Sequence, residues 1–189
     1  RINIRFFRVF DGAKARAEQL GFRLESFKLR RDKITGSRFV SILRSRGIEG
    51  LVISPIFDGG KKLDFDWSRF SAIAFRHSVV DAGMNRVCFD QFYAVLHSLI
   101  NMAKLGYNRI GVVMPRNADD RMHNLSLGAL TAFRAENSAQ QIVPMFEGID
   151  RSKFLNWFRE HQPDALLCHG LNWAKILHEE GMSCPDDYG

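Results

Sequence analysis

Hydrophobic and polar residues along this chain recur in two periods, and the stretch around residues 86–114 shows both. Phe92, Leu96, Leu99, Ile100 and Ala103 return at three- and four-residue spacing, which puts them on one face of a helix. Asp90 stands where an N-cap would fall, and Gly106 where a left-handed C-cap would end the helix. The apolar run Val87, Cys88, Phe89 precedes this helix, and a second run over residues 110–114 follows it. The order is strand, helix, strand, and the pattern predicts a parallel crossover.

The same alternation extends in both directions. A helix is predicted over residues 10–20, with Ala13, Ala17 and Leu20 on one side and Gly21 as its stop. Residues 22–27 alternate apolar and polar, as a strand does. Ser37 caps a helix to residue 45 with Phe39, Val40 and Leu43 inward, and a strand follows at 51–53. After a polar loop with Gly59-Gly60 comes a strand at 72–75. Beyond residue 114 the pattern gives a loop at 115–120 and a helix at 124–136 burying Leu127, Leu130 and Phe133. A strand at 142–146, a helix at 151–160, a strand at 165–168 and a helix at 171–180 complete the chain. Such alternation is the mark of an α/β fold with parallel sheets flanked by helices. Two Rossmann-like lobes of similar winding fit it, one over residues 1–80 and one over 81–189. A ligand of such a fold lies between the lobes, at the carboxyl ends of the strands.

With 189 residues, 46% of them hydrophobic and 25% charged, the chain can bury an ordinary core, and disorder is not indicated. No apolar run is long enough to cross a bilayer, and the opening residues lack the apolar centre of a secretory signal. Charge is uneven: residues 1–50 hold 13 Lys and Arg against 5 Asp and Glu, whereas residues 51–189 hold 14 against 16. The basic first quarter has two readings, a solvated helix face and a nucleic-acid neighbour, and the first is favoured at this density. Cys88, Cys168 and Cys184 form no C-x-x-C pair, and Cys88 and Cys168 sit in apolar strand patterns as small hydrophobes. A reducing, cytoplasmic setting is expected.

Catalysis is disfavoured by the absence of any nucleophile, phosphate-loop or dinucleotide motif. No two of the six histidines have metal-ligand spacing. No cofactor or metal is expected, and Asp119-Asp120 and Asp186-Asp187 read as solvated loop acids. Binding candidates come from the strand ends. Ser54 and Pro55 follow one strand, and Arg76 and His77 follow the next. Arg76 and His77 could donate to ligand hydroxyls or to a carboxylate, or instead pair with a local acid such as Asp81. Phe57, Trp67 and Trp173 are aromatic candidates for stacking on a sugar face, while Trp157, within a predicted helix, reads as packing.

Several segments in order resemble the effector domain of lactose-repressor (LacI/GalR) transcription regulators. They are the strand ending near Asp90, the helix to Leu105-Gly106-Tyr107, Asn108-Arg109-Ile110-Gly111, residues 15–22 (Ala-Arg-Ala-Glu-Gln-Leu-Gly-Phe) and residues 43–53. The resemblance implies a periplasmic-binding-protein-like type I fold. It also implies a small-molecule effector, a sugar or sugar derivative, in the interlobe cleft, and homodimerisation through the helices at 10–20 and 37–45. Operator DNA would be bound by a helix-turn-helix headpiece before this chain, and a strand before Arg1 and further chain after Gly189 would complete the lobes. Arg121 lies near the position of an effector-clamping arginine. The usual Arg of R-x-x-G is replaced by Leu125, so Arg121 or Asn124 would take that role. His169 follows the 165–168 strand where relatives touch effector, with Leu171 in place of a usual Asp; it could instead cap the next helix. Asp90 reads as helix N-cap in preference to a hinge residue at the cleft edge. A periplasmic sugar-binding protein of the same fold is the alternative.

Overall fold

A computed structural model of the chain describes residues 4–27, 36–55, 65–77, 79, 83–137, 139, 141–170 and 172–189. Seven helices and six strands form two parallel three-stranded sheets among these residues. The first sheet has the order β1 (Gly50–Ile53), β2 (Ser71–Phe75), β3 (Asn85–Val87). The second has β5 (Gln141–Ile142) and β6 (Ala165–Cys168) on either side of β4 (Arg109–Val113). Both are parallel throughout, so loops after the strands gather at one edge of each sheet.

Helix α3 (Gln91–Lys104) forms for the reasons the sequence gives. The Asp90 carboxylate accepts from the Tyr93 backbone N–H at 2.8 Å, satisfying one of the donors a helix start leaves open. Val95 and Leu99 are buried at the centre of the predicted face, flanked by Phe92, Leu96, Ile100 and Ala103. Gly106 adopts φ 95°, a conformation that a side chain would strain. The flanking strands do not form a crossover within one sheet, however. β3 hydrogen-bonds to β2, with Ala74 opposite Arg86, whereas β4 lies in the second sheet. Asn85–Val87 therefore joins the first sheet, and α3 carries the chain across to the second.

The second sheet is covered on both faces. Ile110 and Val112 of β4 pack with α3 and with α5 (Leu125–Glu136), through Ala129, Leu130 and Phe133. Val113 packs on the opposite face with α6 (Arg151–His161) and α7 (Trp173–Glu179), through Phe154, Phe158, Trp173 and Leu177. Gly111 is required between them: a Cβ there would lie 2.7 Å from Leu166 and 2.9 Å from the Trp157 ring. Arg109 donates to the His161 carbonyl at the end of α6, and the Asp164 carboxylate accepts from Asn108 N and Arg109 N at 2.7 and 3.0 Å. The Asn-Arg-Ile-Gly segment thus has structural work at the start of β4.

The first sheet has a thinner core. Phe39 and Leu43 of α2 (Gly36–Ser45) pack with Phe70, and Ala74 with Val79 and Met84. The described side chains of α1 (Ile4–Gln19), from Val9 onward, are exposed or half-buried.

Four further elements differ from prediction, beside the strand and crossover around α3 and the earlier start of α1. Residues 22–27 make no ladder, although Phe27 packs edge-on against Phe39. Residues 142–146 pair only in part, because Pro144 has no N–H to donate; contact resumes where Phe146 N donates to Val112 O. Residues 116–121, expected as loop, form α4 (Arg116–Arg121). α5 is rotated slightly from prediction: Ser126 is fully buried and Leu127 is 37% exposed.

Candidate functional site

The carboxyl ends of the two sheets are joined by side chains. Arg76, directly after β2, has φ 68° and donates its backbone N–H to the Val87 carbonyl at 2.8 Å, so the ladder between β2 and β3 fixes it in that conformation. Its guanidinium lies 4.9 Å from the centre of the Phe89 ring and 5.7 Å from that of Phe75. His77 follows, and its ring meets His123 edge-to-face with centroids 5.4 Å apart. His123 belongs to the turn between α4 and α5, which lies beyond the carboxyl end of β4. The two histidines therefore link the first sheet to the second.

That turn is held by Asp119. The residue is 2% exposed, and its carboxylate accepts from Ser126 N at 3.0 Å and Leu127 N at 3.1 Å. Ser126 in turn has its hydroxyl against the Gln91 side-chain amide of α3 at 3.2 Å. Asp119 is therefore not the solvated loop acid expected: it caps α5 from outside that helix. The residues between, His123 and Asn124, take φ 58° and 57°. With Gln162 they and Arg76 are the non-glycine residues of positive φ among those described, so three of four lie at this junction. Such conformations cost roughly 1–3 kcal/mol each and gather where function constrains the chain.

Electrostatics at the junction are one-sided. His77 has its pKa lowered, first by burial and then by repulsion from His123 and Arg86. Its Nδ1 is buried without a hydrogen-bond partner. Arg121, the last residue of α4, is half-buried and has no carboxylate partner among the described residues.

The remaining predicted positions divide. Ser54 is exposed just after β1, at the same edge of the first sheet as Arg76. Asn124 precedes α5 with its side chain uncommitted to capping. His169 follows β6, half-buried, with its backbone N–H donating to Val113 O at 2.8 Å. Asp90 is the N-cap, as favoured. Trp173 is misplaced by the sequence reading: it is 1% exposed, with its ring 4.4 Å from Phe154, and a ring sealed in the core offers no face to a ligand. Trp157 is packing, its Nε1–H donating to Pro144 O at 2.7 Å. Phe57 and Asp81 lie outside the described residues. Trp67 lines a groove of about 460 Å³ with Phe70, Ser71 and Asn85. These residues lie at the amino ends of β2 and β3, the side away from the junction. His123 and Arg86 were missed, because no spacing rule links His77 to residues of other elements.

No protein-family model and no curated protein matches the chain. Solved structures do. A periplasmic binding protein/LacI transcriptional regulator from Alkaliphilus metalliredigens, complexed with D-xylulofuranose, superposes with TM-score 0.68 at 15% identity. The match covers 100% of this chain and 73% of that one. The chain has the fold of lactose-repressor-type effector domains. A LacI family regulator from Enterococcus faecium with bound ribose matches at TM-score 0.62 and 16% identity, over 100% and 72% of the two chains. A regulatory protein of the LacI family from Chloroflexus aggregans reaches 0.70 at 17%, over 95% and 68%. The periplasmic-binding-protein-like effector-domain fold expected from Asp90, Leu105-Gly106-Tyr107 and Arg109-Ile110 is thus the fold found.

Proposed function

We propose that this chain is the effector-binding and dimerisation part of a ligand-responsive transcription regulator of the lactose-repressor type, working in the cytoplasm. The observation that carries the reading is the contact of His77 with His123, which brings the carboxyl ends of two parallel sheets to one place. Similar solved structures with bound pentoses support it. Arg76, His77 and Ser54 would contact the effector from the first lobe, and Arg121, Asn124 and His169 from the second. His123 joins them and Trp173 leaves the set.

A ligand held by both lobes has different affinities for arrangements that bring the two sets together and arrangements that part them. That difference is all an allosteric effector needs. Operator DNA would be bound by a helix-turn-helix headpiece, not by these residues, and the state of the cleft would reach it through the first lobe. A homodimer formed through α1, α2 and helices of the second lobe would set the spacing of two headpieces.

A thermal-shift series with D-ribose, D-xylulose, their phosphates and purine nucleosides tests this reading. A ligand present at about a hundred times its Kd stabilises the native form by roughly 2.7 kcal/mol. For a chain of this size that raises Tm by about 5–10 °C. Arg76→Ala and His123→Ala are expected to remove most of the rise. A best ligand whose shift survives both substitutions is bound elsewhere, and the cleft assignment fails.

A further inference from the structure

Among the described side chains, the junction offers many hydrogen-bond donors and few acceptors. Arg76 and Arg121 carry guanidinium groups, which donate and never accept. Among the described residues neither has a carboxylate partner, whereas Arg116, Arg151 and Arg159 hold Asp120, Glu147, Glu179 and Glu180. Among the described residues, the acids of the neighbouring segments are already committed. Asp119 accepts from two N–H groups of α5, Asp120 from Arg116, and Asp90 from α3. A neutral sugar needs acceptors for its hydroxyl hydrogens as well as donors. Among the described side chains, Asn117, Asn124, Ser54 and the imidazole nitrogens of His77 and His123 are the acceptors that remain on these segments.

We propose that the cleft takes a small molecule bearing an oxyanion, a phosphate or a carboxylate, with Arg76 and Arg121 as counter-charges and His77 and His123 as further donors. This rests on the reading of the junction as the effector site and specifies its ligand class. An oxyanion accepts at every oxygen, which is what this donor-rich junction lacks. It would also give the buried Nδ1 of His77 a partner and offset the repulsion between the two histidines and Arg86. A guanidinium resting against the Phe75 and Phe89 rings, on an otherwise exposed residue, is well placed to form a charge-assisted pair.

Isothermal titration of the chain with D-ribose, D-ribose 5-phosphate, D-gluconate and inorganic phosphate, at low and at high salt, decides the matter. The expected result is that ribose 5-phosphate or gluconate binds at least about tenfold more tightly than ribose, with affinity falling as salt rises. Whichever of the two binds identifies phosphate or carboxylate as the anchor. R76Q and R121Q, each checked for an unchanged melting temperature without ligand, should each weaken that anionic ligand by about tenfold and ribose by less. Ribose binding as tightly as either anionic sugar overturns the inference and leaves the effector-site reading standing. Inorganic phosphate binding as well as ribose 5-phosphate, with no loss in R76Q or R121Q, marks an adventitious ion only and also overturns it. If none of the four probes binds, the inference fails, and the effector-site reading falls with it only when the thermal-shift series also finds no ligand.

Discussion

His77 is a histidine kept from its proton. Its ordinary value is 6.5, and burial, His123 and Arg86 all lower it in the folded chain. The unfolded chain therefore binds a proton at a higher pH than the folded one. Stability contributed by this group is whole above about pH 6.5 and is lost as pH falls from there through the lowered value. His77→Gln keeps a polar side chain without the titration. In urea melts between pH 7.5 and 5 its midpoint should fall less steeply than that of the parent below about pH 6.5. Equal slopes would show that His77 titrates freely. Arg76 and His77 were legible as candidates because strand ends can be read from periodicity, and Arg121 and Asn124 because the family resemblance puts an effector-clamping arginine near them. His123 was not, because its importance comes from a ring contact with a residue on another sheet. Trp173 shows the opposite error. An aromatic near a strand-end loop looks like a stacking platform, yet Leu177 four residues later already marks the same helix face as core.

Among the elements, the α4–α5 hairpin departs furthest from the pattern that predicted the rest. Asp119-Asp120 reads as solvated loop because polar residues carry no apolar period, and a six-residue helix is too short to impose one. What fixes this segment is a single carboxylate that accepts two N–H groups seven and eight residues ahead. Asp119→Ala removes both bonds and leaves the start of α5 unsatisfied at a buried place. It should cost about 1–3 kcal/mol in urea or thermal unfolding, and Asp119→Asn less. Because the capped turn also presents His123 and Asn124, the alanine variant should lose ligand affinity beyond its loss of stability. A variant as stable as the parent would mean that water replaces the carboxylate. The same principle explains α5's rotation: Ser126 faces inward because Gln91 and Asp119 receive it there, and hydrophobicity alone would have chosen Leu127. β3 is another partner effect. Val87, Cys88 and Phe89 look like one strand, but β2 offers its free edge to Asn85–Val87 instead.

At the scale of the whole molecule the two sheets are unequally supported. The second has a packed core on each face, with Leu99, Ile110, Phe133, Phe154 and Trp173 all nearly or fully inaccessible. The described core of the first rests on two small clusters on the same face, Phe39 with Leu43 and Phe70, and Ala74 with Val79 and Met84. Each large apolar side chain fully buried contributes roughly 1.5–3 kcal/mol of transfer free energy, so the local opening free energies of the two sheets should differ. Hydrogen exchange is expected to find the amides of β1, β2 and β3 exchanging well before those of β4, α5 and α6. On the proposed binding mode, a ligand held by Arg76 and His77 from one side and by Arg121 and His123 from the other must be released before the first sheet can open. Saturating ligand should therefore slow exchange across β1–β3 far more than across β4, although its direct contacts lie only at the strand ends. Protection confined to residues 76–77 and 121–124 would show that the ligand touches the junction without coupling the lobes, and the chain would then lack the communication a regulator's effector domain needs.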